Sequence, residues 1–134
     1  MVTQAGPRPR DYLTLDDVLA LHRELINRWG GTHGIRDPGL LEAALYRPQT
    51  GYYASLIDEA AALWESLSQN HAFIDGNKRV AFAATFTFLR INGLVITAGD
   101  ADTEAFVVDL YERREMRFES LRVWLLANTA PQDP

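Results

Sequence analysis

At 134 residues, with 47% apolar and 23% charged side chains, the chain is sized for one globular domain around a single core. The absence of cysteine excludes disulfides, thiolate metal sites and cysteine nucleophiles. Charge-free runs reach only about ten residues, too short to cross a bilayer, and a net charge of −5 with scattered basic residues speaks against a dedicated nucleic-acid binder. Met1 to Arg10 has no apolar h-region, so no secretory signal is expected and the cytoplasm is the expected compartment.

Met1 to Arg10, with Pro7 and Pro9, reads as a loose tail. Thr14 followed by Asp17 resembles a capping signal, and the helix it opens carries Leu15, Val18, Leu21, Leu25, Ile26 and Trp29 at helical spacing until Gly30-Gly31 stops it. Asp37-Pro38 opens a shorter helix, with Asp37 as N-cap and Leu40, Leu41, Ala44 and Leu45 as its apolar positions. Arg47 to Tyr53 has turn chemistry at Pro48 and Gly51 and reads as a loop. A third helix runs from Ser55 towards Asn70, with Leu56, Ala60, Leu63, Trp64 and Leu67 on one face. A fourth begins at Gly76 or Asn77 and ends at Asn92, with Gly93 as the C′ residue. Between Val80 and Leu89 it has no charge and is apolar nearly all round, which suits the middle of a bundle. Leu94 to Thr97 suits a short extended piece, and two more helices follow, over about Ala101 to Arg114 and Phe118 to Asn128. Residues from Ala130 read as a second loose tail. The fold class is all-α, a single domain over 11–129 with about six helices around one buried central helix.

The lone lysine, Lys78, lies in His71-Ala72-Phe73-Ile74-Asp75-Gly76-Asn77-Lys78-Arg79, between the third helix and the fourth. Gly76 permits a tight turn. The first N–H groups of the helix beyond it lack intrahelical partners and sit at the positive end of the macrodipole, which makes an anion site. Asn77, Lys78 and Arg79 add an amide, a compact charge and a planar fork, all suited to phosphate oxygens. Asp75 would repel a bare phosphate but is compatible with a divalent ion between them. His71 is placed to take a proton from a hydroxyl, and Phe73 to anchor the loop in the core. Each residue also has a plain structural reading: His71 as a cap or surface residue, Asp75 as a turn residue, Lys78-Arg79 as a solvated pair. The combination at this spacing points to anion handling without naming a reaction. His22 is assigned to a core edge or an interface, and His33 to an exposed glycine-rich turn; the three histidines lack metal-ligand spacing. Arg113, Arg114 and Arg117 read as a solvated helix end.

The nonapeptide resembles the signature of the Fic/Doc superfamily, His-x-Phe-x-Asp/Glu-Gly-Asn-x-Arg, and is most similar to the Doc ("death on curing") branch, where lysine replaces the second glycine of AMP-transferring Fic enzymes. The likeness extends to Tyr12-Leu13-Thr14, to Gly34 to Leu41, to Arg47-Pro48-Gln49 and to Phe88 to Gly93, and covers roughly Tyr12 to Leu126. Ala72 departs from the usual proline, and Phe82 stands where those enzymes carry a second arginine.

The resemblance implies a reversed nucleotide, with the γ-phosphate of ATP at the attack site and kinase chemistry instead of AMP transfer. His71 is then the general base, Asp75 the Mg2+ ligand, and Gly76, Asn77, Lys78 and Arg79 the phosphate-binding residues. Arg47, Pro48, Gln49, Thr50, Gly51, Tyr52 and Tyr53 form the flap that docks the target. The implied target is a threonine of elongation factor Tu, whose phosphorylation arrests translation. The implied partner is an antitoxin with a disordered C-terminal segment that folds into an apolar groove, sought near Phe106, Leu110 and Trp124. Ser55 to Ala60 matches part of an inhibitory Ser-x-x-x-Glu motif of some Fic proteins, but in the wrong place. The alternatives are a Fic-type adenylyl transferase and a non-catalytic module that represses transcription with a partner. Neither membrane nor direct nucleic-acid contact is expected.

Overall fold

A computed structural model describes residues 9–133. Six α-helices carry the chain, in the order α1 (Leu15–Trp29), α2 (Pro38–Tyr46), α3 (Leu56–Gln69), α4 (Asn77–Ile91), α5 (Asp100–Glu112) and α6 (Phe118–Ala127). A 3-10 turn over Arg47–Gln49 and two short strands, β1 (Leu94–Ile96) and β2 (Thr129–Pro131), complete it. The all-α expectation holds. Among the described residues, none of the helices is long and apolar enough to cross a membrane.

Local chemistry fixes the helix starts. Thr14 and Asp17 form a complete capping box: the Asp17 N–H donates to Thr14 Oγ1 at 3.1 Å and the Thr14 N–H to Asp17 Oδ2 at 2.9 Å. Asp37 accepts from the Leu40 N–H at 3.1 Å, with Pro38 at the first helical position. Ser55 caps α3 by accepting from the Asp58 N–H at 3.1 Å.

The centre is shared by α3 and α4. The sequence pointed to α4 alone, yet α3 buries ten of its 14 residues and α4 six of its 15. The run Ala60-Ala61-Ala62 lets neighbouring helices approach α3 closely on several sides, while Trp64 fills the space beyond it at 1% exposure. On α4, Phe82 and Phe86 are only half-buried and line a cleft against α5.

Where the described residues overlap the expected loose tails, they are tied to the fold. Residues 1–8 of the N-terminal tail lie outside the described residues. Arg10 is tied down by Glu59, its Nη2 3.2 Å from Oε2, and the Asp11 N–H donates to Asn92 Oδ1 at 2.9 Å. At the other end β2 pairs antiparallel with β1, with Val95 opposite Ala130. Three residues are too few to show a strand period, and β1 offers backbone donors and acceptors that need partners.

Candidate active site

The motif loop joins α3 to α4 and is held from both sides by the turn that follows α1. Ile35 and Phe73 form an antiparallel bridge, and the Ile74 N–H donates to the Gly34 carbonyl at 3.1 Å. Phe73 is 2% exposed and stacks on the imidazole of His22, ring centroids 3.8 Å apart and planes 10° from parallel. His22 Nε2 lies 2.7 Å from the Asp75 carbonyl oxygen and donates to it. The residue expected at a core edge is thus buried and holds the loop. Its position on α1 gave no hint of this, because its partners lie 51 and 53 positions further along the chain.

Asp75 is exposed, and its carboxylate accepts from the Thr32 N–H at 3.0 Å and the Gly76 N–H at 2.8 Å. These backbone donors, the first from Thr32, hold the Asp75 carboxyl below the usual carboxylate range, with Arg79 and His22 adding to the effect. Gly31 makes room for this contact: at φ 116°, a Cβ there would stand 2.7 Å from Asp75 Oδ2. Among the described residues no group of three or more His, Cys, Asp or Glu is gathered to hold a metal. A single ionised, exposed carboxylate fits magnesium whose other ligands are phosphate oxygens and water.

Gly76, at φ 76°, caps α4 without any side-chain bond. The first amide to find a helical acceptor is that of Val80, bonded to the Gly76 carbonyl, so those of Asn77, Lys78 and Arg79 remain available at the positive helix end. The side chains of Asn77 and Arg79 line a depression at the motif and also bond to the backbone. The Asn77 amide spans the loop, accepting from the Phe73 N–H at 3.0 Å and donating to the Phe73 carbonyl at 2.9 Å. Arg79 Nη1 donates to the Gly30 carbonyl at 3.0 Å. Lys78 instead extends its Nζ over the ring of Tyr111, 4.4 Å from the centroid.

Two depressions meet at the motif. One, of about 350 Å³, is lined by His71, Ile74 and the run Asp75 to Arg79. The other, of about 450 Å³, adds Ser68, Tyr111, Arg114 and Arg117 to His71 and Lys78. The arginine cluster therefore splits. Arg113 pairs with Asp109 on the surface at 2.9 Å, while Arg114 and Arg117 face the cavity. Ser68 Oγ and Tyr111 Oη are buried beside one another with no other polar partner among the described residues, and burial pushes the Tyr111 phenol up, against the opposing effect of Ser68. This cavity wall comes from α3, the end of α5 and the segment that follows it, and only the fold brings it to the motif.

The expected flap is half bolted down. Arg47 Nε donates to Tyr53 Oη at 2.7 Å and Nη1 to Glu65 Oε1 at 2.8 Å and Ser66 Oγ at 2.9 Å, while Pro48 is buried. Gln49 donates to the Leu45 carbonyl at 3.1 Å. Thr50, Gly51 and Tyr52 form an exposed tip, with Tyr52 83% exposed. No flap residue lines either depression; the connection runs through Glu65, which pairs with Arg47 and lines the larger one. The Ser55-x-x-x-Glu59 sequence is also accounted for structurally: Glu59 is buried against Arg10, away from the motif.

The sequence is similar to known proteins. The Fic/DOC family model matches residues 12–89. The chain is 41% identical over 117 residues to a protein named Toxin Doc of Mycolicibacterium smegmatis, covering 83% of this chain and 88% of that one. It is 33% identical over 89 residues to a protein named Protein kinase doc of Escherichia phage P1, covering 63% of this chain and 71% of the phage protein. By motif, fold and these matches, the chain belongs to the Fic/DOC family.

Proposed function

We propose that this chain is a Doc-type toxin that transfers the γ-phosphate of ATP to a protein hydroxyl, with a threonine of elongation factor Tu as the candidate acceptor and arrested translation as the result. The observation that carries the reading is the position of Lys78. Its ammonium lies over Tyr111 in the cavity it shares with His71, where AMP-transferring relatives keep a glycine and leave room for two phosphates. Phe82, in place of their second arginine, turns to an apolar cleft. Both residues disfavour a pose that presents the α-phosphate to His71. The similarity to a relative named as a protein kinase points the same way.

In this reading His71 takes the proton of the acceptor hydroxyl as its oxygen attacks the γ-phosphorus. The bond from that phosphorus to the β–γ bridging oxygen breaks, and ADP leaves. Such a base contributes about 10²–10⁴-fold. The free amides at the start of α4, with Lys78 and Arg79, hold the phosphates, while the side chain of Asn77 holds the loop. Asp75 would bind magnesium, which supplies charge neutralisation between the carboxylate and the phosphates. Arg114 and Arg117 give the larger cavity further positive charge on a chain whose net charge is −5.

Of the residues sought for an antitoxin groove, Leu110 is buried at 2% exposure, while Phe106 and Trp124 are partly buried and stack on each other at 4.7 Å beside Trp64. A better candidate is the cleft of about 390 Å³ between α4 and α5, lined by Phe82, Phe86, Ile96, Val107 and Val108 with Lys78 and Arg79 at one end. A folded antitoxin segment lying there would reach the phosphate site. Phe86→Asp should then remain toxic when the cognate antitoxin is co-expressed; neutralisation as efficient as for wild type would rule this cleft out.

The reaction is tested by offering purified elongation factor Tu and whole lysate ATP labelled at the γ- or the α-phosphate. Label should pass to protein from γ-labelled ATP only, and His71→Ala should abolish both transfer and growth arrest. Transfer from α-labelled ATP alone would reject the kinase reading in favour of AMP transfer. Growth arrest by His71→Ala would favour a non-catalytic module.

A further inference from the structure

His71 has an unusual backbone. Its φ of 50° lies in the left-handed region, which residues with a Cβ rarely occupy and which persists where surroundings enforce it. The enforcing contacts come from two neighbouring residues outside the motif, Arg36 and Asp37, and the side-chain ones from Arg36 alone. Arg36 Nε donates to the His71 carbonyl at 2.6 Å and Nη2 to the Asn70 carbonyl at 3.0 Å. The Ala72 carbonyl accepts from the Arg36 N–H at 2.7 Å and the Asp37 N–H at 3.0 Å. Three successive carbonyls therefore converge on Arg36 and its neighbour. Arg36 lines neither depression at the motif; it grips the loop from behind, while the His71 side chain lines both.

We propose that Arg36 is a positioning residue for His71: its guanidinium fork holds the left-handed turn and thereby sets where the imidazole stands against an acceptor hydroxyl. This rests on the reading of His71 as the base. The fork makes the assignment specific, because two parallel N–H donors meet two adjacent carbonyls, a geometry that a lysine ammonium does not reproduce. Arg36 is also exposed, so its removal leaves a site that a small guanidinium ion can enter from solvent.

The test compares wild type, Arg36→Ala, Arg36→Lys and His71→Ala by kinetics with γ-labelled ATP and by NMR of His71. We expect Arg36→Ala to lower kcat by about a hundredfold, the scale of a misplaced catalytic group, with KM for ATP little changed. Arg36→Lys should recover only part of the loss. Guanidinium chloride at low millimolar concentration should partly rescue Arg36→Ala and leave His71→Ala inactive. The three-bond H^N–Hα coupling of His71, which reports φ, should change in Arg36→Ala while the amide spectrum of the helices stays in place. A wild-type kcat in Arg36→Ala, or a fall in kcat that guanidinium does not relieve, would overturn the proposal. If wild type transfers no phosphate, the kinase reading fails on its own and the coupling alone decides: an unchanged value in Arg36→Ala refutes the positioning role.

Discussion

Lys78 and Asp75 are both exposed, yet neither behaves as an ordinary surface charge. The ammonium of Lys78 is centred over an aromatic face at 4.4 Å, a contact worth about 0.5–2 kcal/mol depending on desolvation. Lys78→Arg keeps the charge but replaces a compact ammonium by a broad plane, so we expect phosphotransfer to fall in a steady-state assay despite the conserved sign. For Asp75 the folded carboxyl is depressed by its two backbone donors. The stability it contributes is therefore complete above the ordinary carboxylate range and is lost as pH falls towards the lower folded value. Denaturation of wild type and Asp75→Asn should show a constant gap at neutral pH that narrows as the pH drops through about 4; a gap independent of pH would contradict the assigned contacts. Gly31→Ala tests the same contact from its other side. A methyl group 2.7 Å from Asp75 Oδ2, on a backbone at φ 116°, should cost about 1–3 kcal/mol in chemical denaturation and displace the carboxylate.

Among the elements, helix boundaries were legible wherever a cap was written in a few adjacent residues. Thr14 and Asp37 each announce a helix start, and the structure shows both side-chain bonds; Ser55, the expected start of the third helix, proves to cap it as well. What stayed hidden depended on pairing across the chain. His22, Arg36 and the Thr32 amide hold the motif loop from more than 30 positions away, and β2 exists because β1 lies beside it. The relative burial of α3 and α4 also eluded composition, since half-exposed Phe82 and Phe86 look like core in a sequence. Trp64 gives the energetic check on α3. It is 1% exposed and meets Phe82, Phe106 and Trp124 edge-on, so Trp64→Ala should destabilise the protein by about 3–5 kcal/mol in urea unfolding.

Across the whole molecule, an acidic chain gathers part of its positive charge around one cavity. Lys78, Arg114 and Arg117 line it beside His71, while Arg10, Arg47 and Arg122 are spent on ion pairs with Glu59, Glu65 and Asp58. A local cationic pocket on a net negative chain suits a small polyanion, as the proposed reaction requires. The nonapeptide made the pocket's centre legible; its outer wall of Tyr111, Arg114 and Arg117, from the end of α5 and the segment after it, is brought to the motif only by the fold.

The most direct measurement of the central claim is phosphate transfer by the Lys78→Gly protein, assayed in parallel with α- and γ-labelled ATP on elongation factor Tu. With the ammonium gone, γ-label transfer should fall sharply and α-label should begin to reach protein. Undiminished γ-label transfer, with no α-label incorporated, would contradict the assignment of Lys78 as the residue that sets which phosphate faces His71.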